Sequence, residues 1–144
     1  MKIEIKKLRP GAELPTRGSA YAAGYDLRAC IDAPVVIAPG ETKMVGTGLS
    51  VAVPVGYFGA VFARSGLASK QGLRPANCVG VCDSDYRGEY TVALHNDSAE
   101  PRTVQNGDRI AQLVVIPCLD LEFDEVSELS ATERGAGGFG STGR

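Results

Sequence analysis

The chain has 144 residues, 15 Lys plus Arg against 17 Asp plus Glu, a net charge of -2, and 44% hydrophobic with 22% charged residues. That is the size and make-up of one globular domain that buries its own core without disulfide or metal staples. The lack of a basic excess argues against gripping long nucleic acid by bulk electrostatics, and no apolar run reaches the ~18 residues of a membrane helix, so neither nucleic acid nor membrane is expected as a partner.

The first residues, MKIEIKKLRP, set Ile3 and Ile5 between charges, a strand pattern with one wet face. They lack the apolar stretch of a secretory signal, so a cytoplasmic setting is expected. Leu49, Val51 and Val53 repeat the alternation. YFGAVFA (57–63) and IAQLVVI (110–116) are apolar on both faces and read as sheet interiors, whereas SGLASKQG (65–72) suits a short helix. Leu119, Leu121 and Phe123 alternate with acids and read as one more strand before the period is lost. Ala38-Pro39-Gly40, Pro54-Val55-Gly56, Tyr86-Arg87-Gly88 and Asn106-Gly107-Asp108 supply the turns. Short strands at roughly 8–12-residue spacing, with no long helical period, predict an all-β sandwich or barrel. Cys30, Cys78, Cys82 and Cys118 show no CxxC spacing and are expected as reduced core thiols.

Four stretches carry chemistry. In ARSGLA (63–68), Arg64 and Ser65 follow a buried strand, where a guanidinium and a hydroxyl suit phosphate oxygens; a surface arginine with Ser65 capping the helix is the plainer account. In GVCDSDYRGEY (80–90), Asp83 and Asp85 share a face if the strand continues. Paired carboxylates make a base or a metal site, though two solvated turn aspartates fit the pattern equally well. In RIAQLVVI (109–116), Gln112 falls in phase with Ile110 and Val114, and Arg109 opens the strand. An unpaired buried amide costs about 1–3 kcal/mol, so Gln112 needs a partner in the backbone, another subunit or a ligand. The last residues, RGAGGFGSTGR (134–144), formally contain GxGxxG, but no helix follows to receive a pyrophosphate. A solvated tail is the plainer account of a glycine-rich terminus, but Phe139 beside Ser141, Thr142, bare glycine amides and Arg134 suits a cap for something planar and anionic, such as a nucleotide.

AAGYDLRA (22–29), ARSGLA (63–68), GVCDSDYRG (80–88), GDRIAQLVV (107–115) and RGAGGFGSTG (134–143) together resemble, in order and near spacing, the signature blocks of the homotrimeric dUTPases. The resemblance implies a jelly-roll-like β-barrel or sandwich with a short helix over residues 1–133, and a mobile glycine-rich C-terminal arm over 134–144. It implies a hydrolase that converts dUTP to dUMP and pyrophosphate by water attack on the α-phosphorus, limiting uracil in DNA and supplying dUMP for thymidylate synthesis. It further implies a homotrimer with shared active sites, and Mg²⁺ held mainly by substrate phosphates and water.

Carried over by position, Asp83 is the catalytic base, Tyr86 the ring against the deoxyribose, and Asn77 the amide that reads uracil. Arg64, Ser65, Gly66 and Gln112 bind phosphates. Phe139 stacks on the base while Arg134, Gly140, Ser141 and Thr142 close on the phosphates. Asp26 and Arg109 take a supporting role as an ion pair, and Asp85 is structural. Cys82 departs from the family, which more often has an aliphatic residue there, and with Cys78 it puts thiols near the base. The rival readings are a dCTP deaminase of the same fold, and a sensor that binds dUTP without turnover.

Overall fold

The structure, a computed structural model, describes residues 1–138; Phe139, Gly140, Ser141 and Thr142 lie outside the described residues. In chain order the elements are β1 (Glu4–Lys7), β2 (Thr16–Arg17), β3 (Tyr25–Arg28), β4 (Val35–Ile37), β5 (Thr42–Gly46), β6 (Leu49–Ala52), β7 (Tyr57–Phe62), α1 (Ser65–Gln71), β8 (Leu73–Pro75), β9 (Val79–Cys82), β10 (Thr91–Asn96), β11 (Arg102–Val104) and β12 (Arg109–Pro117). Among the described residues this is all-β apart from α1, with every strand pair antiparallel.

One layer is a five-stranded sheet in the order β2-β3-β12-β7-β9. Facing it stand β5-β10-β8 and the pairs β1-β6 and β11-β4. The core is filled from both sides: Leu27, Val61, Ala111 and Leu113 from the large sheet meet Val45, Val92, Leu94 and Leu73, with Ile37, Leu49 and Val104 closing the ends. This jelly-roll-like architecture follows from the two long apolar runs, which become the central strands β7 and β12. β6 is drier than its alternation predicts. Ser50 is only 8% exposed and spends its hydroxyl on the Arg87 carbonyl, at 2.8 Å.

The helix begins where β7 leaves the sheet. Arg64 is its N-cap in extended backbone, and Ser65, the first helical residue, makes no capping bond with its side chain. Gly72 ends the helix at φ 69°, its N–H donating to the Ala68 carbonyl at 3.1 Å.

Two sequence expectations fail, for residues 119–123 and for the cysteines, and one open alternative, at Asp83 and Asp85, is decided. Residues 119–123 join no strand, and Leu119, Leu121 and Phe123 are 84%, 62% and 92% exposed, because β12 ends at Pro117 and no free edge of the same chain receives them. β9 stops at Cys82, so Asp83 and Asp85 sit in a turn rather than on one strand face. Of the cysteines only Cys30 is buried; Cys82 is half-buried, while Cys78 and Cys118 are exposed.

Candidate active site

The large sheet brings a charged group together at its centre. Gln112 of β12 lies opposite Asp26 of β3 on one side and Phe62 of β7 on the other, so the three side chains leave the sheet in one row. Arg64, two residues past Phe62, extends that row, and its Nε donates to Asp26 Oδ1 at 2.7 Å. Arg109 reaches Asp26 Oδ2 at 3.3 Å from a bulge that shifts register between Arg109 and Ala111. Asp26 is only 13% exposed, so this carboxylate is a shared, nearly dry counter-ion for two guanidiniums. The Gln112 Nε2 donates to the Ala63 carbonyl at 2.8 Å, fastening β12 to the residue before Arg64. Arg64 and Arg109 together line a cavity of about 230 Å³ beside α1.

Gln112 fits only because of Gly24, where a Cβ would overlap its amide. Sequence reasoning missed that dependence; the signal was the glycine just before Tyr25-Asp26 in AAGYDLRA.

A second group forms beyond β9. Asn77, Gly80, Cys82, Asp83, Tyr86 and Tyr90 line a cavity of about 420 Å³, within the range of small-molecule sites. The Val79 N–H donates to the Asn77 carbonyl at 2.6 Å, closing a three-residue turn around Cys78, whose φ of 59° is rare for a side chain with a Cβ. This turn folds the Asn77 amide over Gly80, where a Cβ would stand 3.3 Å from Nδ2.

After β9, the Tyr86 N–H donates to the Asp83 carbonyl at 3.2 Å, making a tight turn with the exposed Asp83 carboxylate at its start. Arg87 clamps the turn through its guanidinium, donating to the Ser84 and Tyr86 carbonyls at 2.7 and 2.9 Å. The Tyr86 hydroxyl donates to the Glu89 carbonyl at 3.1 Å, and Gly88 is a residue whose Cβ would overlap that hydroxyl. Glu89 in turn accepts the Gly48 N–H at 2.7 Å. Arg87 and Gly88 were read from sequence as turn residues only, and Glu89 was given no role.

Beneath the turn, burial pushes the Cys82 thiol and, further still, the Tyr90 phenol above their ordinary ranges, so both stay protonated at neutral pH.

Asp83 and Arg64 stand at opposite ends of β7. Asp83 follows the rung Gly59–Cys82, and Arg64 lies two residues past the rung Phe62–Val79. Six residues separate those levels, about 20 Å at ~3.3 Å per residue. Arg64 also turns toward β3, away from β9. Ser65 and Gly66 open α1 next to Arg64, with no Cβ contact within 4 Å at Gly66. Arg134 donates within its own segment, 2.8 Å to the Gly137 carbonyl, and lines neither cavity. Among the described residues no three His, Cys, Asp or Glu side chains converge as a metal cage, and no helix is long and apolar enough to cross a membrane.

The family profile described as dUTPase matches residues 11–143. The deoxyuridine 5'-triphosphate nucleotidohydrolase of Nautilia profundicola is 49% identical over 144 residues, covering 100% of both chains. That of Azoarcus sp. is 47% identical over 146 residues, covering 99% of this chain and 98% of the relative. Among solved structures, the Staphylococcus bacteriophage 80alpha dUTPase with dUPNHPP superposes with a TM-score of 0.87 at 30% identity, covering 99% of each chain. The dUTPase from phage phi11 of S. aureus gives 0.80 at 26% identity, covering 92% of this chain and 100% of that one. Sequence and fold thus agree, and the chain belongs to the dUTPase family.

Proposed function

We propose that this protein hydrolyses dUTP to dUMP and pyrophosphate at a site completed between copies of the chain in a homotrimer. The observation that carries the shared site is the separation just described. A base at the α-phosphorus and guanidiniums on the neighbouring phosphates must work within a few ångströms of one another, yet Asp83 and Arg64 lie at opposite ends of β7 in one protomer. Closing one protomer's Asp83 turn on another's Arg64 row removes the gap. The stripe Leu119, Leu121 and Phe123 supports assembly as well: it keeps a strand's period but pairs with no strand among the described residues, which is the condition of a segment that pairs with a neighbour.

In this scheme Asn77 reads the uracil edge and Tyr86 lies against the deoxyribose, leaving no room for a 2′-hydroxyl. Arg64, Ser65, Gly66 and Gln112 receive phosphate oxygens. Asp26 keeps Arg64 and Arg109 aimed while cancelling only one of their two charges, so the row stays attractive to an anion. Asp83 takes the proton of a water aligned with the α-phosphorus, which is worth ~10²–10⁴-fold. Positioning and charge neutralisation carry most of the rest.

Residues 1–133 act as the catalytic body and 134–144 as an arm, in which Arg134, Phe139, Gly140, Ser141 and Thr142 cover the nucleotide. A divalent cation, read here as Mg²⁺, would be held mainly by the triphosphate's own oxygens and by water, which are the hard donors it favours. Such an ion, when bound, neutralises phosphate charge. Four free thiols suit a reducing, cytoplasmic setting, where the reaction would keep uracil out of DNA and supply dUMP.

The test is incubation with dUTP, UTP and dCTP in the presence of Mg²⁺. Pyrophosphate and dUMP should come from dUTP alone. Ammonia from dCTP would favour the deaminase reading, and tight dUTP binding without pyrophosphate would favour the sensor.

A further inference from the structure

Tyr90 is a core residue without an evident reason to be a tyrosine. It is 2% exposed, and among the described residues its hydroxyl has no nitrogen or oxygen partner; the group beside it is the Cys82 thiol, a weak one. A buried hydroxyl with so weak a partner gains little over phenylalanine, so what the oxygen supplies here is bulk. Its site is specific. The Tyr90 hydroxyl fills the space over the Gly59–Cys82 rung, standing 2.9 Å from where a Gly59 Cβ would be.

The backbone of Tyr90 has little freedom to move. Its N–H donates to the Leu49 carbonyl at 2.8 Å, and its carbonyl accepts the Thr47 N–H at 3.3 Å and the Thr47 hydroxyl at 2.6 Å. With the main chain held at one end and the hydroxyl seated against β7 at the other, the ring between them is fixed. That ring packs against Tyr86, with centroids 6.1 Å apart and planes 40° apart, and both residues line the 420 Å³ cavity.

We propose that Tyr90 is a positioning residue for sugar discrimination: braced on Gly59, it backs the Tyr86 ring and sets how far that ring stands into the cavity. The inference rests on the reading of Tyr86 as the ring that meets the deoxyribose. A ring a few tenths of an ångström further back leaves room for a 2′-hydroxyl. Selectivity is therefore the quantity that responds, because a site that rejects by shape alone does so only while its wall is stiff.

The experiment measures kcat/KM for dUTP and UTP in the unaltered protein, in Gly59→Ala, in Tyr90→Leu and in the double variant Gly59→Ala/Tyr90→Phe. Gly59→Ala pushes the Tyr90 oxygen off its seat, and Tyr90→Leu removes the backing ring. Each should lower the dUTP-to-UTP ratio by about tenfold, mainly through faster UTP turnover. The double variant deletes the oxygen that the new methyl strikes and should recover most of the ratio, a rescue that general loss of stability does not produce. A protein that prefers dUTP while the single variants keep its full preference, or a double variant no better than Gly59→Ala, would overturn the role of Tyr90 alone. Indifference of the unaltered protein to the 2′-hydroxyl would overturn the Tyr86 reading and this inference with it.

Discussion

The two halves of the candidate site are built by different physics. Around Asp83 and Tyr86 the turn is held by hydrogen bonds to backbone carbonyls, from Arg87, from the Tyr86 hydroxyl and from the Tyr86 N–H, and its cavity is walled by the Tyr86 and Tyr90 rings, Gly80 and aliphatic side chains such as Val61 and Val92. Around Asp26 the parts are charges, two guanidiniums on one carboxylate, aligned by strand register. A base and a sugar are distinguished by shape, which demands a stiff wall. A triphosphate is recognised by charge, which demands that cations be kept extended before it arrives. Separate construction lets each half be damaged without the other.

The largest effect should come from Asp83→Asn. The turn depends on the Asp83 carbonyl, not its carboxylate, so the cavity should survive while turnover falls ~10²–10⁴-fold. Calorimetric titration with a non-hydrolysable dUTP analogue would then show binding within a few-fold of the unaltered protein. Equal loss of binding and turnover would break the assignment of Asp83 as a base.

Mixing sharpens the comparison further. Asp83→Asn and Arg64→Ala chains should each be nearly inactive as pure assemblies. Unfolded together and refolded in equal amounts, they should regain about a quarter of the sites if each site takes one half from each of two chains, since both donors must be intact by chance. If one chain supplied both halves, mixing would restore nothing.

Much of this was legible in the sequence, and the exceptions have a common cause. The long apolar runs gave β7 and β12, and Gly72 marked the helix end, because local pattern and turn chemistry act within a few residues. The alternation at 119–123 was equally plain, but a period of two says which face is apolar and not whether a partner edge exists in the same chain. Asp83 and Asp85 were left open between a strand face and a turn because nothing local says that β9 stops at Cys82; the clamp from Arg87 forms only once the turn exists. Gly24 beneath Gln112 joins positions far apart along the chain and became visible only through strand register.

That glycine provides the third prediction, smaller and confined to the charged half. In Gly24→Ala the Gln112 amide must leave the Ala63 carbonyl, costing about 1–3 kcal/mol in strain and a hydrogen bond worth ~0.5–1.5 kcal/mol. Urea unfolding should show that loss, and Gly24→Ala/Gln112→Ala should be less destabilised than the two single changes summed. Binding of deoxyuridine without phosphates, which needs only the cavity half, should be unaffected; if it weakened equally, the halves would not be separable.

The smallest effect lies under the cavity and is read in alkali. Burial, with a further push from the Cys82 thiol, raises the Tyr90 phenol above its ordinary value of 10.0. The folded chain therefore keeps this proton at a pH where the unfolded chain has lost it. The stability linked to that proton is fully present below pH ~10 and is lost as pH rises through the folded value, at up to about 1.4 kcal/mol per pH unit for one group. Tyr90→Phe has no such proton. Cys82 is raised first by burial and drawn partly back by the Tyr90 side chain, so its slope differs between the two proteins and the comparison is made in a Cys82→Ala background. The gap in urea stability with and without Tyr90→Phe in that background should thus stay constant from pH 7 to 9 and widen in favour of the variant at pH 11. A gap that does not change across that range would mean the phenol is reached by solvent, and the cavity floor would then be softer than its packing against Tyr86 implies.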